Sequence, residues 1–476
     1  MTTAKRTSAK KTAPKNRAAA ISLARKAAYH VLLSVERGHS HSDDLLRGAA
    51  VNALSSPDRN LCTALVLGVL RWQIRLDHEL QALLKHPNAK LEPEVRIALR
   101  LGAFQLLHLD RIPARAAIDE SVELAKQAGH RFASGMVNAV LRKLARTHQA
   151  RTGEPVPLAD SPADLALALA HPAWMVERWV SNYGIEAARA ICLHGQSQPA
   201  LTIRIDDAVV AGELATEGID LQPGELLAVA QTVVSGDIAA SAAFHDGRFR
   251  LQDEGSQLIA ELASANPSQS FQIRSILDCC AAPGGKTLIL AERNPQARVL
   301  ACESSVQRIE PLRHRLAPLG DTIECRLADA TTLAEDSAFD LALADVPCSG
   351  TGTLGRNPEI RHRLRPEDLL RQATRQRDLL RAAIRAVRPG GRVVYSTCSL
   401  EPEENEQVVA AVLAETPNAH QVSLEASIES LAAEGILIAS AAPRLCASLT
   451  AEGALRLLPG AFHTDGFFVA LIERNA

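Results

Sequence analysis

The chain has 476 residues, 47% of them hydrophobic, and a formal net charge of −2. At roughly 100–200 residues per domain, this length predicts two to four domains, and the hydrophobic content is normal for globular chains with sizeable cores. No uninterrupted apolar run reaches the about 20 residues of a membrane span, so we expect no membrane partner. The nine cysteines form no C-x-x-C pair, so we expect no metal, and their odd number favours reduced thiols in the cytoplasm over a disulfide framework.

The first 26 residues carry eight lysine and arginine residues and no acidic residue. A basic arm of this kind favours a polyanionic partner, although a solvated tail without a dedicated partner fits the pattern equally well. It is not expected to be a targeting peptide, because no apolar core follows the charges. We expect residues 1–17 to form a disordered basic tail.

From residue 18 to about residue 150 apolar residues recur at helical spacing without β-branched alternation, which predicts an all-α domain. Several phrases in this region resemble the NusB family of RNA-binding helical domains. They are LGVLRW (67–72), RLGAFQLLHLDRIP (100–113), AAIDESVELAK (116–126) and MVNAVLRKL (136–144). The resemblance implies binding to RNA or to a protein partner, although any single arginine or lysine fits a solvated helix face equally well.

Residues 151–164 contain several prolines with serine and aspartate, and they are predicted to be a linker. Residues 165–265 are predicted to form a small mixed α/β segment with strands at 201–206 and 247–252. In the phrase LQDEGSQLIAELA (251–263), Asp253 and Ser256 are expected to cap the N-terminus of a helix.

The stretch SILDCCAAPGGKT (275–287) is predicted to be a buried strand, a tight turn at Gly284 and Gly285, and the start of a helix. Such a turn presents backbone N–H groups to a polar or anionic ligand, and its glycines let the backbone approach a cofactor. A P-loop would need glycine at position 280, where Cys280 stands, and Pro283 breaks the dinucleotide fingerprint. The sequence therefore predicts a cofactor turn of a third kind.

Residues 266–476 alternate between strand and helix patterns, which predicts a doubly wound, mostly parallel Rossmann-like α/β sheet. The strands that follow 275–278 are predicted at 299–302, 323–327, 341–344 and 392–395. The helices are predicted at 306–316, 366–387 and 403–413. A closing hairpin is predicted from segments 455–458 and 466–473.

Polar and reactive residues follow the strands of this sheet, where ligands of such folds bind. Glu303 can accept hydrogen bonds from a ribose diol, and Asp329 can meet an adenine amino group. Each alone also fits a capping carboxylate, but together after the glycine turn they indicate an adenosine cofactor. The next two strand ends carry Asp345 with Cys348, and Cys398, whose position before a helix favours a thiolate nucleophile.

These motifs resemble the RsmB/NOP family of RNA cytosine-5 methyltransferases, which use S-adenosylmethionine. The match runs through LQDEGSQL, DCCAAPGGKT, ADVPCSGTGTLGRNPEIR (344–361), RPGGRVVYSTCSLEPEENEQVV (388–409) and LLPGAFHTDGFFVA (457–470). The resemblance implies that Cys398 attacks the base, that Cys348 helps to release the product and that Asp345 holds the base. It implies a cofactor and base pocket lined by Cys280, Ala281, Ala282, Pro283, Gly284, Gly285, Lys286, Glu303, Asp329 and Asp345. With the NusB-like region, it implies methylation of 16S ribosomal RNA. Nothing in the sequence demands more than a monomer, so we expect a monomer.

A basic cluster after the Cys348 loop contains Arg356, Arg361 and Arg363, and it is expected to hold RNA phosphates or to stack on a base. A solvated surface is the alternative. The sequence departs from the family at Glu303, where aspartate is more usual, and at His362, where an aromatic or apolar residue is expected.

Two other functions remain open at this point. One keeps the chemistry with transfer RNA as the substrate, and the other is an RNA-binding ribosome assembly factor with a vestigial cofactor site. The presence of both Cys348 and Cys398 argues against the second, because a protein without this chemistry has no need of two thiols at these strand ends.

Overall fold

The computed structural model describes residues 21–38, 40–88, 90–151, 161–268 and 271–476. The predicted basic tail (1–17) and most of the predicted linker lie outside the described residues. The chain divides into two compact units, residues 1–158 and residues 159–476.

The described part of the first unit is helical, as predicted, with a short 3-10 turn at Arg131–Ala133. Its helices are α1 (Leu23–Glu36), α2 (Ser42–Leu46), α3 (Ala49–Asn52), α4 (Ser56–Gln81), α5 (Pro93–His108), α6 (Ala114–Gln127) and α7 (Ser134–Arg151). The longest, α4, begins where the Ser55 hydroxyl accepts a hydrogen bond from the Asp58 amide. The core requires close approach of α4 and α5, because a Cβ on Gly68 would lie 2.0 Å from the Phe104 ring.

The second unit begins with a small α/β part built on a four-stranded antiparallel sheet in the order β2-β3-β1-β4. Its elements are α8 (Pro162–Ala168), α9 (Ala173–Tyr183), α10 (Ile185–Gln196), β1 (Leu201–Arg204), α11 (Ala208–Thr216), β2 (Asp220–Pro223), β3 (Ala230–Ser235), α12 (Ala242–His245) and β4 (Arg250–Leu251). The strand predicted at 201–206 is confirmed as β1. The strand predicted at 247–252 is reduced to two residues, because only Arg250 and Leu251 pair with β1.

An eight-stranded sheet forms the rest of this unit, in the order β10-β12-β9-β8-β5-β6-β7, with β11 paired to β12. Its elements are α13 (Glu254–Ser264), β5 (Ser275–Asp278), α14 (Gly285–Arg293), β6 (Arg298–Glu303), α15 (Val306–Leu316), β7 (Ile323–Leu327), β8 (Phe339–Asp345), α16 (Ile360–Arg363), α17 (Pro366–Ala386), β9 (Val387–Thr397), α18 (Glu406–Glu415), β10 (Ala419–Val422), α19 (Glu425–Ala433), α20 (Ala441–Cys446), β11 (Leu455–Leu457) and β12 (Phe467–Arg474). Short 3-10 turns lie at Ile238–Ala240, Ala317–Thr322, Ala330–Thr332, Thr351–Thr353 and Pro402–Glu404.

The sheet is buried on both faces, as the doubly wound prediction requires. Successive residues of β5 point to opposite sides, so Ile276 belongs to one apolar cluster and Leu277 to another. Strands β9, β8, β5, β6 and β7 run parallel. After β5 the chain builds β6 and β7 on one side and then returns to place β8 on the other. The point at which strand order reverses therefore lies between β5 and β8, and such switch points are where ligands of these sheets bind.

Two details differ from the sequence prediction. The C-terminal hairpin of β11 and β12 is confirmed, but β12 also pairs antiparallel with β9 and with an edge strand, β10, that was not predicted. The helix predicted from residue 403 begins at Glu406, because a 3-10 turn precedes it and Asn405 has non-helical backbone angles. Among the described helices, none combines the length and apolarity that crossing a bilayer requires.

Candidate active site

The turn between β5 and α14 has the predicted shape, and a buried aspartate stabilises it through hydrogen bonds. Asp278 ends β5, and its carboxylate accepts hydrogen bonds from the Thr287 hydroxyl at 2.8 Å and from the Cys280 amide at 3.4 Å. Gly284 adopts φ +98°, a conformation that favours glycine. Burial raises the pKa of Asp278 to about 7. Sequence reasoning did not assign Asp278 a role, although a carboxylate at the strand end just before the turn was the available signal.

Lys286 and Asp345 meet across the switch point between β5 and β8. The Lys286 ammonium donates to Asp345 Oδ2 at 2.8 Å, and the Ser396 hydroxyl donates to Asp345 Oδ1 at 2.7 Å. Burial alone would lower the pKa of Lys286, but the Asp345 charge and hydrogen bond outweigh it and raise the pKa. The same ammonium lies 6.0 Å from the centre of the Phe467 ring. A fixed cation and a fixed carboxylate therefore stand together at the sheet edge.

Glu303 and Asp329 line one cleft of about 240 Å³, together with Cys280 and Arg308. Glu303 is buried and accepts a hydrogen bond from the Ser305 amide at 2.8 Å. Asp329 is exposed and accepts from the Thr331 amide and hydroxyl through Oδ1 alone, which leaves Oδ2 for a ligand. The hydrogen bond from the Thr331 amide lowers the pKa of Asp329. The two residues that the sequence assigned to one cofactor are thus brought to one cleft.

A second, smaller cleft of about 90 Å³ is lined by the glycine turn, and Cys280 borders both clefts. The residues that line it include the predicted residues Ala281, Ala282, Pro283, Gly285, Lys286 and Asp345. It is also lined by Gln252, whose side chain sits so close to Gly285 that a Cβ there would lie 3.0 Å from the amide. Glycine at this position therefore leaves room between the turn and the LQDEGSQL segment.

The two predicted cysteines are in contact. Cys348 follows β8 and Cys398 follows β9, and their sulfur atoms lie 3.3 Å apart in thiols that are both free and half-buried. The hydrogen bond with Cys398, together with burial, raises the pKa of Cys348. The two loops are also joined by backbone, because the Gly352 amide donates to the Cys398 carbonyl at 2.9 Å.

A buried carboxylate that sequence reasoning missed ties these loops together. Glu404 accepts hydrogen bonds from the amide and hydroxyl of Ser349, the hydroxyl of Ser399 and the side chain of Gln376. Ser349 and Ser399 are the residues that directly follow the two cysteines. The acidic run EPEENE (401–406) in the sequence was a signal, but nothing in its pattern distinguishes the buried carboxylates, Glu401 and Glu404, from the others.

The predicted RNA-binding arginines are placed differently from the expectation, and one assignment is wrong. Arg361 is 2% exposed, and its guanidinium donates to the backbone carbonyls of Ala170, Gly195 and Leu354, so it does not present charge to a ligand. Arg356 is half-buried in ion pairs with Asp253 and Asp465. Arg363 is half-buried at the end of α16. The cluster of arginines in the sequence misled the prediction of RNA contacts, because a buried arginine side chain can instead donate hydrogen bonds to backbone carbonyls.

The LQDEGSQL segment has a structural role at the edge of the site. Asp253 caps α13, as predicted, by accepting from the amides of Gly255 and Ser256, whereas Ser256 accepts a side-chain hydrogen bond from Gln252 instead of capping the helix. Glu254 is buried and accepts from three successive backbone amides, at 225–227. Within the part of the chain that the structure describes, no cluster of three or more histidine, cysteine or acidic side chains could hold a metal ion.

Three family models match the chain. The model described as 16S rRNA methyltransferase RsmB/F matches residues 266–473, the NusB family matches residues 22–146, and the RsmF/B-like ferredoxin-like domain matches residues 171–234. The similarity of the N-terminal region to NusB is confirmed by the second match, as is the predicted class of the C-terminal domain by the first. The ferredoxin-like match falls in the segment predicted only as mixed α/β.

Curated relatives and solved structures agree with these matches. The chain is 33% identical to the probable ribosomal RNA small subunit methyltransferase B of Bacillus subtilis, over 95% of this chain and 98% of the relative. It is 33% identical to ribosomal RNA small subunit methyltransferase B of Pseudomonas putida, over 84% of this chain and 91% of the relative. In fold it is similar to the crystal structure of PH0851, with a TM-score of 0.74 and 23% identity over 96% of this chain and 100% of that chain. A methyltransferase homologue from Pyrococcus horikoshii gives a TM-score of 0.53 at 25% identity, over 67% of this chain and 100% of that chain.

Proposed function

Because the chain belongs to the RsmB/F family of 16S rRNA methyltransferases, we propose that it forms 5-methylcytosine in small-subunit ribosomal RNA through a covalent bond between Cys398 and the base. The observation that carries this proposal is the contact of Cys348 and Cys398, 3.3 Å apart, beside the paired Lys286 and Asp345. Two thiols at neighbouring strand ends suit covalent catalysis on a pyrimidine ring, because a thiol adduct activates a ring carbon that is otherwise a poor nucleophile.

The residues present fit S-adenosylmethionine as the methyl donor. Glu303 and Asp329 offer carboxylate oxygens on one cleft, which suits a ribose diol and an adenine amino group. The turn at Gly284 and Gly285 brings backbone rather than side chains to the neighbouring cleft. When bound, this cofactor supplies a sulfonium methyl group to C5 of the base and departs as the neutral thioether.

Cys398 begins the reaction by adding to C6 of cytosine. A carbon–sulfur bond forms at C6 as the electrons of the C5–C6 double bond move into the ring, and C5 becomes nucleophilic. Asp345 is held by Lys286 and Ser396, so without reorganising it can accept a hydrogen bond from the amino group that stands beside N3 of the base. The Lys286 ammonium is fixed before the base arrives, so it can stabilise the negative charge that develops on the ring.

Product release needs the carbon–sulfur bond to break. Once C5 carries the methyl group, a base that Cys348 helps to position takes the C5 proton, the C5–C6 double bond re-forms and Cys398 leaves as a thiolate. The net result is one methylated cytosine and one released proton. The target base must leave its stack to reach the sulfur, which costs less in a loop than in a duplex.

The test uses purified full-length protein, S-adenosylmethionine and unmodified total RNA, with Cys348→Ala, Cys398→Ala and the control Cys446→Ala, a half-buried free cysteine on α20. We expect Cys348→Ala to trap an RNA-linked protein band on a denaturing gel and Cys398→Ala to give neither band nor methylation. The control is expected to behave as wild type, and sequencing of the trapped RNA identifies the target. Unchanged methylation in Cys398→Ala would refute the covalent mechanism. Trapping of transfer RNA alone would refute the proposal that ribosomal RNA is the substrate.

A further inference from the structure

Glu404 lies in the 3-10 turn after β9, is fully buried and accepts four hydrogen bonds through its side chain. Oε1 accepts hydrogen bonds from the Ser349 backbone N–H at 2.8 Å and from the Gln376 side-chain amide at 2.9 Å. Oε2 receives the hydroxyls of Ser399, at 2.5 Å, and of Ser349. The N–H groups of Ser349 and Gln376 can only donate, so Oε1 accepts from both, and the two serine hydroxyls are placed to donate to Oε2, so none of these four contacts requires a proton on Glu404.

The partners of Glu404 belong to both cysteine loops. Ser349 is the next residue after Cys348, and Ser399 is the next residue after Cys398. Gln376, on α17, also donates to the Pro347 carbonyl at 2.9 Å, so the residue before Cys348 is fixed as well. Removing this carboxylate would take the acceptor of the buried Ser349 amide in one loop and an acceptor of the Ser399 hydroxyl in the other. Glu404 therefore acts on the spacing of the two sulfur atoms without touching either of them through a hydrogen bond.

The charges around the thiol pair are asymmetric. Lys286, from α14, lies within electrostatic range of Cys398, although Asp345 on β8 balances much of its charge. On the Cys348 side stand Glu404 and the phenol of Tyr395, from β9, whose hydroxyl donates to the Glu404 carbonyl at 2.5 Å. A cation faces one thiol and a buried carboxylate faces the other.

We propose that Glu404 is a positioning residue that holds Cys348 and Cys398 in contact and keeps the proton of the pair on Cys348, so that the thiolate forms on Cys398. The raised pKa of Cys348 has the same origin, because the hydrogen bond with Cys398, burial and the Glu404 charge all contribute to it. A protonated Cys348 donates its S–H to the sulfur of Cys398, which stabilises that sulfur as a leaving group. This inference rests on the proposed function for its chemical consequence, but the proton distribution itself does not depend on RNA.

The experiment measures iodoacetamide alkylation of each cysteine against pH by peptide mass spectrometry, in the full chain without RNA or cofactor. In wild type we expect Cys398 to react at lower pH than Cys348. Glu404→Gln keeps the shape and an acceptor oxygen but removes the charge, so Cys348 should react faster, by about tenfold for each unit by which its pKa falls. The matched control is Glu403→Gln, which removes a charge from the adjacent residue, whose partner is Arg178. It should leave both profiles as in wild type.

Glu404→Asp separates charge from spacing, because it keeps the carboxylate on a shorter side chain. We expect its Cys348 profile to stay within about threefold of wild type. An increase as large as that of Glu404→Gln would overturn the proposal, as would unchanged cysteine profiles in Glu404→Gln. If Glu404→Gln does not fold, the wild-type measurement alone decides, since alkylation of Cys348 at lower pH than Cys398 contradicts the assignment. Failure of RNA trapping with the expected alkylation order would instead reject the proposed function and leave this inference standing.

Discussion

Gly352 is the position at which a single methyl group should separate the two cysteine loops. Its amide donates to the Cys398 carbonyl at 2.9 Å, and its own carbonyl accepts from the Gly466 amide at 2.8 Å. A Cβ at this position would lie 2.4 Å from the Gly466 carbonyl oxygen and 2.8 Å from the Cys398 carbonyl oxygen. Both obstructing atoms are backbone, so neither can rotate away as the end of a flexible side chain would.

The magnitude follows from the size of the overlap. Ordinary contact of a Cβ begins at 3.4 Å, so the Gly352→Ala methyl overlaps one oxygen by about 1.0 Å and the other by about 0.6 Å. Overpacking costs about 1–3 kcal/mol, and two backbone clashes place this variant in the upper part, at about 2–3 kcal/mol. We expect a melting temperature about 4–12 °C lower, from about 2–4 °C for each kcal/mol in large domains. Methyl transfer should fall at least about tenfold, because a 1 Å displacement of a reacting group has effects of that order or larger.

The assay pairs thermal unfolding with single-turnover methylation, and Gly212→Ala is the control. Gly212 lies on the exposed face of α11, and a Cβ there meets nothing within 4 Å. Replacing a helical glycine by alanine should stabilise the unit by about 0.5–1 kcal/mol and leave methylation unchanged. If Gly352→Ala matched Gly212→Ala in both measurements, the reasoning that the two loops are held at contact distance would be refuted.

Two further predictions concern buried charge. Because the pKa of Asp278 is raised in the folded protein to about 7, its contribution to stability is present below its unfolded pKa and is lost as pH rises toward 7, on the order of 4 kcal/mol. Urea unfolding should therefore show that Asp278→Asn loses less stability than wild type between pH 4 and pH 8. The control Asp246→Asn, at an exposed position, should lose as much stability as wild type. Equal losses in wild type and Asp278→Asn would contradict the burial argument. Arg361→Ala should cost about 2–4 kcal/mol, since it leaves three buried carbonyls without their donor, whereas Arg371→Ala, at a 78% exposed side chain, should cost less than about 0.5 kcal/mol. Weaker RNA binding by Arg361→Ala at unchanged stability would restore its assignment as an RNA contact.

Several parts of the fold could be read from the sequence because they depend on local pattern. The strand at Ser275–Asp278 and the helix at Val306–Leu316 were predicted at the bounds that the structure has, since each combines a regular apolar period with a clear start or stop. Edge elements were read less well. β10 has four residues and pairs only with β12, so its pattern carries little information without its partner.

The site was predicted unevenly for a similar reason. The sequence could predict that Glu303 and Asp329 lie near each other, because parallel strands put their carboxyl ends at one edge of the sheet and position along the chain then implies proximity. Arg361 was assigned wrongly and Glu404 was missed, because a charged residue in a polar segment looks the same in the sequence whether it is buried or exposed. Burial of either charge becomes visible only when its hydrogen-bond partners, which come from distant segments, are known.

The sequence by itself determined the order of the parallel strands, the glycine turn and the two cysteines, because short-range periodicity, turn chemistry and reactive residue types are local properties of the chain. Only the tertiary structure decided that the sulfur atoms of Cys348 and Cys398 lie 3.3 Å apart and that Glu404 accepts hydrogen bonds from both of their loops. The cysteines lie 50 positions apart, and the segment between them includes α17, which must pack on the sheet before the loops meet. Distances of this kind result from the packing of whole elements, and no local pattern encodes them.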